Sequence, residues 1–242
     1  MILKVLGSNS AGNCYILETK HEALIIELGV SVPKIKKALH FNIAKVVGAI
    51  VSHAHGDHAK YMGEAMNAGI GVYANHETLS AKSLSRHHRA KPLAHGKKEK
   101  IGGFYVKGFP VEHDVPCMMF LIEHEECGLT LFLTDTMYCK YKIPGLNNII
   151  IECNHELEIM DNNGTPGFLR NRIVQSHMNM DTCKEMLLAN DLSTVHNIVL
   201  IHLSNTNSDA AKIKREISAM IGKIVHVAEA GLTIENFNRT PF

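Results

Sequence analysis

The sequence predicts an α/β fold, a sandwich of two sheets with helices outside both faces. Two observations predict it. Short apolar runs punctuated by turn residues recur along the 242 residues, and their order is strands, then alternating strands and helices, then strands and helices again. In addition, several apolar strands end in a histidine or aspartate, as expected where strand ends converge on one edge of a sandwich. No Pro/Gly/Ser-rich linker interrupts the chain, so residues 1–242 are expected to form a single domain.

In order, Ile2 to Leu6 alternates as an opening strand, and Gly7-Ser8-Asn9-Ser10-Ala11-Gly12-Asn13 follows as a small polar loop. Such a loop, dense in N–H and hydroxyl donors, can cradle phosphate, or be a plain hairpin turn. Cys14 to Glu18 and Ala23 to Glu27 read as strands, and Pro33 to Leu39 as a helix capped by Ser31. Val46 to Val51 is a buried strand. Ala59 to Ala68 and Glu77 to Leu84 read as helices around a brief strand at Gly71-Val72-Tyr73. Lys82 to Lys100 carries seven Lys/Arg against Glu99 alone and reads as a solvated loop, or as a substrate- or subunit-facing arm.

Phe104 to Phe109, Cys117 to Glu123 and Leu129 to Leu133 read as three strands of one sheet, with Asn148 to Glu152 and Asn197 to Ile201 as further strands. Phe168 to Val174, Asp181 to Leu188 and Asp209 to Ile221 read as helices. Ile224 to Val227 and Leu232 to Ile234 close the chain as strands.

The stretch with the strongest chemistry is Val51 to His58, VSHAHGDH. His53 and His55, one residue apart on an extended segment, project to the same side. Asp57 and His58 follow the turn that Gly56 permits. Imidazole and carboxylate ligands suit zinc, manganese or iron. Four ligands in six residues suit two ions sharing a cleft, His53 and His55 on one, Asp57 and His58 on the other. Further strands end at His113, Asp135, His155 and His202. A lone histidine after a strand is usually a surface residue; this many such endings point to a metal site.

On these residues the chain resembles the metallo-β-lactamase-fold hydrolases, from Ile2 to about Glu235. HAHGDH at 53–58 is similar to the family's H-x-H-x-D-H motif, and His113, Asp135 and His202 stand at its later ligand positions. The resemblance implies an αββα sandwich and two divalent ions, Zn2+ or Mn2+. His53, His55 and His113 would hold one, Asp57, His58 and His202 the other, with Asp135 between them. Asp57 or Asp135 would orient the attacking water.

GSNSAGN and HLSNTN resemble loops of the YycJ/WalJ group and of the PhnP and RNase Z phosphodiesterases. That likeness implies His177 as the catalytic group that protonates the leaving oxygen, with His155 second. Ser8, Asn9, Ser10, Asn13 and His155 are candidates for binding phosphate. Glu27 stands where most relatives have Asp, and Glu27 or Asp114 are candidates to fix ligand tautomers.

Two substrates follow. One is a small nucleotide, most readily a 3′,5′-cyclic mononucleotide such as cCMP or cUMP, as opened by phage anti-Pycsar proteins that silence a bacterial defence signal. The other is single-stranded DNA or RNA, cut by a YycJ/WalJ-type exonuclease. The net charge of +1 favours the first and the basic 82–100 stretch the second. A third reading, a metal that only stabilises the fold, fits a complete set of ligands poorly. Relatives are often homodimers, which would let the 86–100 loop reach over a partner's cleft. Six scattered cysteines without a C-x-x-C pair, and the lack of a membrane-length apolar run or signal segment, predict a cytoplasmic protein.

Overall fold

The computed structural model describes residues 1–240, so the last two positions of the expected 1–242 domain lie outside the described residues. The strands are β1 (Ile2–Gly7), β2 (Cys14–Glu18), β3 (Ala23–Ile26), β4 (Val46–Ile50), β5 (Val72–Ala74), β6 (Ala90–Pro92), β7 (Lys98–Ile101), β8 (Phe104–Val111), β9 (Cys117–His124), β10 (Gly128–Leu133), β11 (Asn148–Glu152), β12 (Asn197–Ile201), β13 (Val225–Val227) and β14 (Thr233–Ile234). The helices are α1 (Val32–Ala38), α2 (Gly56–Ala59), α3 (Met62–Asn67), α4 (His76–Ala81), α5 (Leu157–Asn162), α6 (Gly167–Ser176), α7 (Met180–Leu188) and α8 (Ala210–Ile221).

They build two seven-stranded mixed sheets, ordered β14-β1-β2-β3-β4-β5-β6 and β13-β12-β11-β10-β9-β8-β7. In each, hairpin-connected antiparallel strands give way to parallel ones, β3 to β6 in the first sheet and β10 to β13 in the second. Parallel neighbours need crossover connections, which carry helices except between β10 and β11, and these helices cover part of the outer faces.

Side chains alternate across each strand, so three apolar layers result. Leu24 and Ile26 of β3 meet Phe120, Phe132 and Ile150 between the sheets. Ile25 of β3 faces outward under Ile35 of α1 and Met62 and Met66 of α3. On the far side Ile149, Ile151 and Leu200 lie under Cys183 and Leu187 of α7 and Ile213 and Ile217 of α8. The result is the αββα sandwich expected from strand order.

Three local expectations are corrected. The helix expected over Ala59 to Ala68 is two short ones, because the Tyr61 N–H donates to Leu28 O at 3.0 Å instead of continuing α2. Helix α5 was not expected at all. Residues 82–100 are not all loop: they contain β6, paired to β5, and β7, paired to β8, which are edge strands of the two sheets. Lysines at exposed sheet edges discourage pairing with another chain, which is a structural reason for the charge. Ser31 does sit at the N-cap of α1, but its side chain makes no capping hydrogen bond.

Candidate metal centre

The C-terminal ends of β4, β10, β11 and β12, and the turn after β8, meet at one edge of the sandwich. Because β4 is buried at that end, the segment leaving it is held rigidly. His55 is the N-cap of α2, and Asp57 and His58 occupy that single helical turn. The loop is anchored from both sides: Asn13 N–H donates to Asp57 O at 2.7 Å and Leu28 N–H to His58 O at 2.7 Å. Gly29 is required here, since any Cβ would collide with the Asp57 carbonyl oxygen.

Three groups of potential ligands meet here, each with donor atoms within 4.8 Å of one another: His53, His55, His113 and Asp135; Asp135, Glu152, His177 and His202; and Asp57, His58 and His202. The first and the last, with Asp135 between them, correspond to the two expected ligand sets. Asp135 Oδ2 lies 3.7 Å from His53 Nε2 and 3.8 Å from His113 Nε2, while its Oδ1 lies 3.3 Å from His58 Nε2 and 3.8 Å from His202 Nδ1. One carboxylate therefore faces both groups. Asp57 Oδ2 sits 3.3 Å from His58 Nε2 and 3.2 Å from His202 Nε2. Asp135 and His202 have φ of 48° and 56°, a conformation that costs non-glycine residues energy and clusters at functional sites.

Neighbours fix the rings. His53 Nδ1 is paired with Ser52 Oγ at 2.8 Å, which turns its Nε2 into the cluster, and that Nε2 has no hydrogen-bond partner among the described residues. His113 Nδ1 donates to Ser176 O at 3.1 Å. Glu27, fully buried, accepts from Ser52 N–H and lies 3.6 Å from His58 Nδ1. Asp114 Oδ1 lies 3.2 Å from His55 Nε2 and 3.0 Å from His113 Nε2.

The electrostatics suit a cation. Burial disfavours charge on His202, yet Asp135, Asp57 and Glu152 push it up to about 10. Burial likewise opposes charge on His58, and Asp135 and Glu27 raise it well above the usual range. Asp57 and Asp135, though desolvated, are held well below the usual carboxylate range by the surrounding histidines. The carboxylates that draw protons onto His58 and His202 favour a divalent cation in the same place, while burial lowers His53 and His113 and leaves them neutral donors of the kind a metal binds. The buried His53 Nε2, without a hydrogen-bond partner, fits a metal-ligating atom.

His177 stacks on His202 at 5.2 Å, lines the cleft and is a fifth exposed. The cleft measures about 210 Å³ and is closed on one side by Leu169, Arg172 and Ile173 of α6. The residue that sequence reasoning missed is Glu152, the fully buried last residue of β11, whose Oε1 lies 2.7 Å from His177 Nδ1. Its only signal was a carboxylate ending an apolar run, and attention went instead to His155, three positions on.

Of the candidate phosphate-binding residues, Ser10 lines this cleft. Ser8 Oγ accepts from His202 N–H at 3.0 Å and bonds Tyr15 OH at 2.8 Å. Asn13 Nδ2 reaches Asp57 Oδ2 and His58 Nε2 at 3.2 and 3.0 Å. Both are turned inward, as struts of the site. Asn9 accepts from Ala11 N–H within its own turn. His155 is fully buried and does not line the cleft; desolvation lowers its pKa to about 4. All six cysteines are free and buried, and no helix among the described residues is long and apolar enough to cross a membrane.

Comparison with known proteins agrees with this geometry. Residues 8–113 match the metallo-beta-lactamase superfamily model. The chain is 29% identical over 236 residues to exodeoxyribonuclease YycJ of Bacillus anthracis, covering 90% of this chain and 88% of that one. It is 27% identical over 220 residues to exodeoxyribonuclease WalJ of Streptococcus pneumoniae, covering 84% and 82%. Among solved structures it is similar to the metallo-beta-lactamase fold protein YhfI from Bacillus subtilis, with a TM-score of 0.76, 17% identity and coverage of 96% and 98%.

Proposed function

From the premise that the chain is a metal-dependent hydrolase of the metallo-β-lactamase fold, we propose that it is a phosphodiesterase acting on nucleotide phosphodiester bonds with two divalent ions, Zn2+ or Mn2+. The observation that carries this reading is Asp135, whose two oxygens face two separate ligand groups. His53, His55 and His113 would hold one ion, Asp57, His58 and His202 the other, and Asp135 both. Bound together, such ions lower the pKa of water and neutralise charge on the transferring phosphoryl group.

The chain's own residues do the rest. Asp57 and Asp135 orient the attacking water. Ser10 and Arg172, which both line the cleft, are placed to meet phosphate oxygens. Arg172 is 68% exposed and its ion pair with Asp114 is long, at 3.7 Å, so exchanging that partner for a phosphate costs little. His177 donates the proton that the departing oxygen needs. Glu152 raises the proton affinity of His177 against the opposing effect of burial, which favours the protonated ring that a proton donor requires.

Two substrates fit. The small volume of the cleft suits a 3′,5′-cyclic mononucleotide. The two exodeoxyribonuclease relatives support an end of single-stranded DNA or RNA. Metal-loaded protein incubated with 3′,5′-cyclic UMP, CMP, AMP and GMP, and separately with 5′-phosphorylated single-stranded DNA, distinguishes them, with Asp135→Ala as control. Turnover of neither, nor of bis(p-nitrophenyl) phosphate, with metal bound, would overturn the phosphodiesterase reading.

A further inference from the structure

The outer face of β8 is not roofed by a helix. The outer faces of β11 and β12 lie under α7 and α8, and those of β9 and β10 under Cys139, Ile143 and Leu146 of the 137–146 loop. On β8, Phe104, Val106 and Gly108 point into the core. Tyr105, Lys107, Phe109 and Val111 alternate outward, half-exposed or exposed. The metal end of this strand leads through Glu112 directly to His113.

Beside it runs the segment that leaves Asp135: Met137-Tyr138-Cys139-Lys140-Tyr141-Lys142. Only Cys139 of these six is buried, and Tyr138 is 57% exposed. Val111, Glu112, Tyr138 and Lys140 border a slot of about 130 Å³ next to the metal cleft. The Tyr141 ring lies 5.7 Å from Phe109, which joins loop to strand. Further along, Lys98, Tyr105 and Lys107 border a second depression of about 340 Å³. Aromatic rings and lysines thus alternate over a strand of eight residues, about 24 Å end to end at roughly 3.4 Å per residue.

The charge on this path is uncommitted. Lys98 is paired with Glu123 at 2.7 Å and also lies over the Tyr105 ring at 4.2 Å. Lys107, Lys140 and Lys142 have no carboxylate partner within ion-pair distance among the described residues. The acids on the path are Glu123, already neutralised, and Glu112 at the metal end. The exposed rings of Tyr105 and Tyr138, with unpaired lysines between them on a path that begins at the candidate metal centre, are the features that bind a single strand, with bases stacked on rings and phosphates met by ammonium groups. A cyclic mononucleotide would use none of this length.

We propose that the outer face of β8 and the 137–142 loop form a track for single-stranded nucleic acid, delivering one end to the metal centre. The proposal rests on the phosphodiesterase reading and assigns its substrate class. Tyr138 stacks the base nearest the cleft, Tyr105 serves a base further along, and Lys107, Lys140 and Lys142 meet phosphates.

The test measures binding of a fluorescent, phosphorothioate-linked oligothymidylate of about twelve nucleotides to the metal-loaded full chain at several salt concentrations. Each phosphate contact contributes about −0.7 to the slope of log K against log salt for a single strand. The combined Lys107→Ala, Lys140→Ala, Lys142→Ala protein is expected to lower the slope by about two. Tyr138→Ala is expected to weaken binding about tenfold and Tyr138→Phe to restore it. Turnover of bis(p-nitrophenyl) phosphate, which needs only the cleft, stays at the parent level in all of them and reports separately on the phosphodiesterase reading. An unchanged slope, equal affinity for a dinucleotide and the longer strand, or a face that proves to bury a second copy of the chain overturns the track.

Discussion

Glu152 Oε1 lies 2.7 Å from Nδ1 of His177, and the same oxygen lies 3.0 Å from Nδ1 of His202. Its partner Oε2 accepts from the N–H groups of Met178 and Thr136 at 3.0 and 3.3 Å, so the carboxylate cannot rotate away. One buried residue therefore fixes the ring orientation of two histidines with different tasks. Such outer partners of a metal site hold ligand orientation and raise ligand basicity.

Replacing Glu152 with Gln keeps the shape and removes the charge. Metal affinity and turnover are each expected to fall about 10- to 100-fold. Metal titration and steady-state kinetics on the same preparation measure both. Unchanged values for the two would show that Glu152 is only a packing residue.

His177 is expected to matter in proportion to how much help the leaving group needs. An alkoxide leaving from a nucleotide requires a proton, whereas p-nitrophenolate does not. His177→Ala should lower kcat on a natural phosphodiester by about 10²–10⁴ and change turnover of bis(p-nitrophenyl) phosphate little. Equal losses on both substrates would instead mean that the ring supports the metal cluster.

The 8–13 loop divides into two roles. Asn13 is fully buried against Asp57 and His58, while Ser10 is exposed to the cleft. Asn13→Ala should weaken metal binding and cost about 1–3 kcal/mol of stability, since it leaves buried partners unsatisfied. Ser10→Ala should raise KM with metal content and melting temperature unaltered. The reverse assignment of effects would contradict the inward orientation of Asn13.

Much of this was legible in the sequence for a physical reason. Strand-edge candidate ligands such as His53, His113, Asp135 and His202 sit beside strongly apolar strands, so spacing and type announce them. What was not legible depends on tertiary pairing. Ser8 and Asn13 have the composition of a phosphate cradle, and only the partners His202, Tyr15, Asp57 and His58, as many as 194 positions away, turn them into struts. The lysines of 90–100 look like an unattached arm because a short edge strand has no periodicity of its own; its partner defines it. Tyr61 has ordinary helix neighbours, and the break there comes from the Leu28 carbonyl, on another segment.

The cluster should also determine how stable the fold is without its ions. Glu27, His53, His58, Asp135, Glu152 and His202 are all buried, and the carboxylates raise the proton affinity of His58 and His202. A ligand that binds only the folded chain adds about 2.7 kcal/mol when present at a hundred times its Kd. For a chain of this size, where about 1 kcal/mol shifts the melting temperature by roughly 2–4 °C, Zn2+ or Mn2+ should raise Tm by about 5–10 °C over chelator-treated protein. In Asp135→Ala, where the carboxylate facing both ligand groups is gone, most of that increment should vanish and the metal content should fall below two ions per chain. Scanning calorimetry with and without chelator, beside elemental analysis, reads both quantities; a full increment in the variant would remove Asp135 from the centre.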